Sequence, residues 1–274
     1  MVRFEKPYYR DLGDLYIGVE YGDTSDLSLS FRVNALNLAI KKRGVEGIVE
    51  TLSTVRSLGI VYNPFTIEKR RLIEELKLIE VRENLDELTE LPSRLIKMPV
   101  WFNDPWSDEC ARAHGVENNL QFIARSNGVS VDKVVRVYTS TSYWVAGVAF
   151  LLGTFACVAL EPQKITLNVP KCNVPRKWTY ERGVTIAGAS VGVHSIRAPG
   201  GFQLAGRTPI DTYDPEQRNP IFKEDPILVK ATDRIEFYPI PEIEYHRIRR
   251  EVEEGTYHYE VEEGVYRVSD YKAE

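Results

Sequence analysis

Residues 183–209, GVTIAGASVGVHSIRAPGGFQLAGRTP, form the stretch that most restricts how this chain can fold. Glycines recur in it between short β-rich runs at 184–186 and 191–193. Because glycine has no Cβ, it accepts a positive φ and lets two backbones approach closely, as at bulges, at the corners of small barrels and beside ligands. The stretch therefore predicts glycine-punctuated strands that form one wall of a functional site.

The few polar side chains of this stretch are the candidates for its chemistry. His194 is the candidate acid or base, because the ordinary pKa of histidine lies nearest neutrality. Arg207 has a planar guanidinium that suits a carboxylate or bicarbonate, and a structural role beside the Pro-Gly-Gly turn is the open alternative. Ser190 and His194 allow a Ser–His pair, for which a turn serine and a half-buried histidine are the alternative.

Composition and missing motifs exclude several classes of function. The chain has 274 residues and a formal net charge of −5 with interspersed signs, whereas a nucleic-acid surface needs a basic patch. Its 3 cysteines show no Cys-x-x-Cys spacing, which argues against a disulfide framework or zinc site and favours a reducing cytoplasm. The sequence contains no phosphate-binding loop, no G-x-S-x-G elbow and no apolar signal core. We therefore expect a cytoplasmic protein without self-sufficient ATP or serine-hydrolase chemistry.

One uncharged segment raises the question of a membrane helix. Residues 143–160 are almost wholly apolar, and their length lies at the lower edge for a membrane span. Their β-branched and aromatic content, and the break at Gly153, instead favour two buried strands joined through this glycine. We therefore expect no membrane span.

The chain divides into three predicted parts. Residues 1–96 are predicted to form a small α/β domain with helices over 28–43 and 66–84. Residues 97–243 are predicted to form a β-rich domain, because short strands between Gly and Pro turns are typical of a small barrel or sandwich. Residues 244–274 are predicted to be a charged C-terminal arm. The fold class expected from these patterns is α+β.

Finer expectations concern the second and third parts. Helices are expected over 117–127 and 130–137, the latter with Ser130 as its N-cap, and strands over 164–168 and 227–229. The arm contains a near-repeat, EVEEGTYHY followed by EVEEGVYRV, in residues 251–268. Its two copies are expected to pair as a β-hairpin or to lie on another chain, and a poorly packed tail is the alternative.

The glycine-rich stretch also carries a long motif. It contains VTIAG at 184–188 and APGGFQLAGRTP at 198–209. These segments are similar to V-G-I-A-G and S-P-G-G-W-x-L-I-G-R-T-P of a family that includes allophanate hydrolase subunit 1, KipI and the B subunit of 5-oxoprolinase. The same module forms half of the carboxyltransferase domain of biotin-dependent urea carboxylase. Further segments resemble the family in the same order: GD at 13–14, VEYG at 19–22, VYNP at 61–64, MPVW at 98–101 and VPR at 174–176.

The resemblance implies a fold and a set of partners. It implies a small α/β N-terminal domain followed by a cyclophilin-like β-barrel domain. It also implies a hetero-oligomer with a subunit 2 (KipA-like) barrel, or with other carboxylase or ATPase subunits, and a site between the two subunits. ATP and biotin would then be carried by partner subunits, and this chain is expected to bind no cofactor of its own.

Two segments depart from the family pattern. G-F-x-P-G-F-P-Y-L becomes AFLLGTFAC at 149–157, and Q-T-G-I-Y-P becomes SVGVHS at 190–195. Because both segments face the site in the resemblance, a different substrate or an accessory role is expected.

The predicted function is that of one subunit of a multi-component, ATP-dependent carboxylase or amide or lactam hydrolase. In this hypothesis Arg207 and Gln203 orient a carboxylate or bicarbonate, and His194 acts as acid or base. Further substrate-binding residues are predicted to be Phe150, Ser190, Gly200 and Gly201. The alternatives are a KipI-like regulator that binds a kinase or enzyme, and an accessory subunit with a non-catalytic pocket.

Overall fold

A computed structural model describes residues 3–271 of the chain, which divide into two units. The first unit contains the described residues up to Ser93 together with those from Val265 onward. The second unit runs from Arg94 to Gly264. Both units mix strands and helices, so the predicted α+β class is confirmed.

The first unit is built on a four-stranded antiparallel sheet with the strand order β1-β2-β4-β3. Alternating apolar residues of its central strands, such as Val19 and Ile60, are fully buried. The predicted first helix is confirmed: the Asp26 side chain caps its start, and Gly44 ends it with φ 59°. The elements are β1 (Arg3–Asp11), β2 (Tyr16–Gly22), α1 (Leu27–Arg43), β3 (Ile48–Ser53), β4 (Ser57–Tyr62), α2 (Lys69–Arg82) and β5 (Glu90–Pro92).

The second unit contains a closed barrel of seven strands. Its elements are β6 (Leu95–Phe102), α3 (Pro105–Ala113), α4 (Asn119–Ser126), α5 (Val131–Tyr138), β7 (Tyr143–Val148), β8 (Phe155–Ala159), β9 (Arg176–Thr179), β10 (Gly183–Ala187), β11 (Ser190–Val193), β12 (Ala198–Gly200), β13 (Gln203–Arg207), β14 (Arg234–Pro239), α6 (Glu242–Glu253) and β15 (Val261–Glu262). The barrel follows the order β13-β10-β11-β8-β7-β14-β6 and closes where β13 pairs with β6. Strands β14 and β6 are parallel, and the other neighbours are antiparallel.

The closure of the barrel requires a glycine. Gly206 in β13 is paired with Phe102 in β6, and a Cβ at Gly206 would lie 2.5 Å from the carbonyl oxygen of Trp101. No real Cβ tolerates that distance. The glycine-rich stretch therefore contributes strands β10 to β13 and the seam of the barrel.

The uncharged segment forms two strands, as predicted. Strands β7 and β8 pair with each other, and Gly153 in the loop between them has φ 69°. Their side chains Tyr143, Trp144 and Cys157 are fully buried in the barrel unit. Within residues 3–271, no helix is both long enough and apolar enough to cross a membrane.

Other local predictions had mixed outcomes. Helices α4 and α5 are confirmed, and the Ser130 side chain accepts a hydrogen bond from the backbone N–H of Lys133. The predicted strands over 164–168 and 227–229 are wrong, since Lys164 ends a 3-10 helix and the rest is irregular apart from one isolated bridge at Ile227. They lack regular strand partners although their composition is β-rich.

The C-terminal near-repeat takes two different structures. The first copy begins inside α6, and the second copy supplies β15 and the last strand, β16 (Val265–Arg267). Strand β15 pairs with β6 and β16 pairs with β5, so the hairpin alternative is wrong. Within the first unit, Tyr266 of β16 packs against Phe31 with ring centroids 5.6 Å apart.

Candidate functional site

The Pro-Gly-Gly segment is not the predicted turn, because Pro199 and Gly200 belong to β12, which forms a two-stranded ribbon with β9. A Cβ on Gly200 would lie 3.1 Å from both His194 Nε2 and Thr179 Oγ1. Gly201 has more room, because its nearest neighbour would be Pro175 at 3.8 Å. The absence of a side chain at Gly200 therefore lets the ribbon contact the imidazole closely.

His194 follows the end of β11 and is only 6% exposed. Its backbone N–H donates to the Gly183 carbonyl at 3.0 Å, and its carbonyl accepts from the N–H of Arg182 at 2.6 Å. Burial, and secondarily the charge of Arg176, lowers the pKa of His194 to about 4. Its Nδ1 is buried without a hydrogen-bond partner among the described residues. The ring is therefore neutral near pH 7 and has one nitrogen left to accept a proton or a hydrogen bond.

This buried histidine predicts an acid-labile fold. Its folded-state pKa of about 4 lies below the ordinary value of 6.5, so the unfolded chain binds the proton first as the pH falls. The associated stability is complete above pH 6.5 and is lost as the pH falls towards 4, by roughly 3 kcal/mol in all. Urea unfolding at a series of pH values measures this loss, which should be clearly smaller in His194→Gln.

Exposed His246 provides the matched control for that experiment. The variant His246→Gln should keep the pH dependence of the wild-type protein. If acid lowered the free energy of unfolding equally in the wild type and in His194→Gln, the acid lability could not be assigned to His194.

The loop 149–154 places apolar side chains beside His194. Phe150 and Leu152 are 67% and 59% exposed, and the Phe150 ring centroid lies 6.5 Å from that of His194. Ser195 fastens the loop, because its Oγ donates to the Leu152 carbonyl at 2.5 Å and lies 2.8 Å from Thr154 Oγ1. An exposed apolar edge thus adjoins a buried, neutral imidazole.

Arg207 lies in a different environment from the one that the hypothesis needs. Its guanidinium is buried, donates from Nε to the Glu181 carbonyl at 3.0 Å and forms an ion pair with the Glu181 carboxylate. It also lies 4.5 Å from the centroid of the Trp106 ring, and burial lowers the pKa of Arg207. These contacts are structural but go to Glu181 and Trp106 rather than to the Pro-Gly-Gly segment, and a substrate role for Arg207 stays a prediction.

Ser190 lies apart from His194, and Gln203 is engaged by other residues. Ser190 begins β11 whereas His194 follows its end, and a strand of that length separates them by about 13 Å, too far for a Ser–His pair. Gln203 is buried, donates from Nε2 to the Pro170 carbonyl at 2.9 Å and accepts from Cys172 Sγ at 3.7 Å. The structure therefore brings Phe150 and Gly200 to His194, but not Ser190.

Arg176 is the residue that the sequence reasoning missed as a functional candidate. It is 2% exposed and donates to the Phe202 carbonyl at 2.6 Å, to Asn119 Oδ1 at 3.3 Å, to Cys172 Sγ at 3.2 Å and to Thr179 Oγ1 at 3.4 Å. Its place in the VPR motif was the available signal. In the part of the chain that the structure describes, no group of His, Cys, Asp and Glu side chains is placed to hold a metal ion.

Residues 7–223 match the profile of the family described as carboxyltransferase domain, subdomain C and D. The chain belongs to this carboxyltransferase-domain family. The resemblance inferred from the glycine-rich stretch is confirmed.

Three known proteins illustrate how this carboxyltransferase domain occurs. The urea amidolyase of Lachancea kluyveri is 32% identical over 92% of this chain, which corresponds to 14% of that protein. The B subunit of the Bacillus subtilis 5-oxoprolinase is 27% identical over 88% of this chain and 95% of that protein. The crystal structure of the K. lactis urea amidolyase matches with a TM-score of 0.85 at 29% identity, over 97% of this chain and 17% of that one. The chain thus spans a small part of the amidolyases and nearly the whole length of the Bacillus protein.

Proposed function

We propose that this chain is one component of a multi-subunit, ATP-dependent carboxylase or amide or lactam hydrolase, in which it contributes part of a carboxyltransferase-like pocket shared with a partner subunit. The observation that carries the proposal is the match of 97% of the chain to part of a urea amidolyase at a TM-score of 0.85. Because the match covers only 17% of that protein, other chains would supply the remaining activities, including the use of ATP and any biotin.

The residues around His194 support the position of the pocket. Burial keeps the His194 imidazole neutral near pH 7, which is the protonation state that a general base needs. The apolar side chains beside it are exposed in this chain, as expected of a surface that a partner covers: Phe150, Leu152 and Ile196, at 67%, 59% and 41%. The partner in this proposal is a subunit 2 (KipA-like) barrel.

Reconstitution tests the proposal. The chain is co-expressed with candidate subunit 2 and ATP-dependent carboxylase chains, and ADP release is measured with urea, 5-oxoproline and related amides in the presence of bicarbonate. His194→Gln should lower kcat by about a hundredfold or more, as loss of a general base does, and His246→Gln should leave it unchanged.

The other outcomes are also informative. If the complex containing His194→Gln forms and turns over at the wild-type rate, His194 takes no part in the mechanism. Stable binding to a kinase or another enzyme, with no turnover in any combination, would favour the KipI-like regulator instead.

A further inference from the structure

We propose that a cleft beside Arg176 binds a small carboxylate. The Arg176 cleft has a volume of about 850 Å³, and none of its lining residues belongs to the loop 149–154 or is His194. The proposal is independent of the carboxyltransferase function, because it rests on the cleft alone. Its polar walls include His114, Asn119, Cys172, Arg176, Lys177 and Gln203.

The first observation is a buried cation without a counter-ion. Arg176 forms no ion pair with any side chain that the structure describes, and its four hydrogen bonds go to neutral acceptors. Three of these bonds are 3.2 Å or longer, and one of the two Nη2 hydrogens has no acceptor among the described residues. A buried guanidinium is costly without an anion, and a carboxylate oxygen can accept a charge-assisted hydrogen bond from the remaining Nη2 hydrogen.

The second observation is the charge of the cleft walls. Besides Arg176 they carry the exposed amines of Lys171 and Lys177, and the one carboxylate among the lining residues, Glu117, is paired with Arg125 at 2.7 Å. His114 lies 2.8 Å from the Cys110 carbonyl through its Nδ1, and its Nε2 accepts from the Lys177 N–H at 3.2 Å, so both ring nitrogens are already engaged. The cleft is therefore net positive.

The third observation is that Asn119 and Cys172, both Arg176 partners, are themselves held in place. Asn119 Oδ1 accepts from Arg176 and also from the Leu204 N–H at 2.9 Å, while Gln203 is fixed by Pro170 and Cys172. The remaining walls are largely apolar and suit a short hydrocarbon body: Val116, Phe122, Val174 and Pro175. The geometry thus fits a small organic acid rather than a large polyanion.

Cys172 provides a reporter inside the cleft. It is half-buried and lies 3.2 Å from an Arg176 nitrogen, whereas Cys110 and Cys157 are both 0% exposed. Iodoacetate and iodoacetamide alkylate a thiolate by the same displacement of iodide, but only iodoacetate carries a carboxylate. Alkylation of the full chain is followed by intact mass, and Cys172→Ser identifies the labelled site.

We expect iodoacetate to react with saturating kinetics and iodoacetamide with linear kinetics. When each alkylation rate constant is divided by that of glutathione with the same reagent, the value for iodoacetate should exceed that for iodoacetamide by about tenfold, as a charge-assisted hydrogen bond implies. Acetate should slow the labelling more than its neutral isostere acetamide. Arg176→Lys, which keeps the charge but loses the Nη2 donor, should weaken saturation, whereas Lys171→Ala should retain it.

Three results would overturn the proposal. The first is linear iodoacetate kinetics at the normalised rate of iodoacetamide. The second is equal protection of Cys172 by acetate and by acetamide. The third is a preference for iodoacetate over iodoacetamide that disappears in Lys171→Ala but persists in Arg176→Lys. If Arg176→Lys does not fold, the comparison of acetate with acetamide on the wild-type protein decides the question.

Discussion

Replacing Asp233 by alanine is expected to lower the free energy of unfolding by about 3–5 kcal/mol. Asp233 is 2% exposed and accepts from Arg94 Nε at 2.9 Å, from Arg94 Nη2 at 2.6 Å and from the Lys230 N–H at 2.7 Å. Arg94 precedes β6 and Asp233 precedes β14, so the pair fastens the start of the parallel strands. Loss of the Asp233 carboxylate leaves the largely buried guanidinium of Arg94 without its counter-ion.

Urea unfolding at neutral pH measures this effect. The matched control is Glu117→Ala, which breaks an ion pair whose side chains are 40% and 66% exposed and should cost less than about 1 kcal/mol. The double variant with Arg94→Ala should be less destabilised than the sum of the two single variants, because it removes both charges. Equal losses in Asp233→Ala and Glu117→Ala would refute the interpretation.

The variant Gly206→Ala is expected to lose about 3 kcal/mol of stability, through overpacking at the barrel seam. The added Cβ would lie 2.5 Å from the Trp101 carbonyl oxygen and 2.9 Å from Phe102 Cα. Both atoms belong to the backbone of β6, which the pairing with β13 holds in place, so no flexible side chain can move aside.

Gly201→Ala is the matched control for the seam, because it changes the same type of residue in the same motif. Its nearest contact would be 3.8 Å, and we expect a stability change within about 0.5 kcal/mol. Thermal melting of the three proteins checks the prediction. A Gly206→Ala protein that melts together with Gly201→Ala would show that the seam tolerates a side chain.

The motif that made the family recognisable is also the part of the fold that sequence predicts best. A Cβ at Gly200 or Gly206 would contact a neighbouring group too closely, so both positions require glycine. The required glycines make the motif recognisable in the sequence. The parallel pairing of β6 with β14 was not predictable, because neither strand carries a local signal of its partner. Helix α6 was missed because its many charges hide buried Tyr245, Ile248 and Val252, although their spacing is helical.

The candidate site was predictable only in part. His194 was chosen for its pKa near neutrality, whereas burial, which no local pattern shows, lowers the pKa of this group to about 4. Arg207 was chosen from the sequence and Arg176 was not, although both are arginines in motifs and nothing local distinguishes them. Only tertiary contacts reveal that Glu181 already neutralises Arg207, while Arg176 has no carboxylate partner within the described residues.

The pairing of β6 has a consequence for how the chain is made. All its hydrogen-bonded neighbours within the described residues, at 203–207, 234–239 and 261–262, are translated long after it. Ile96, Met98 and Val100 therefore leave the ribosome without the strands that later bury them. Until residue 207 has emerged, β6 is an unpaired apolar strand available to chaperones and to other nascent chains. The ring cannot close before residue 239 has emerged, so its closure is a late, slow event of biosynthesis.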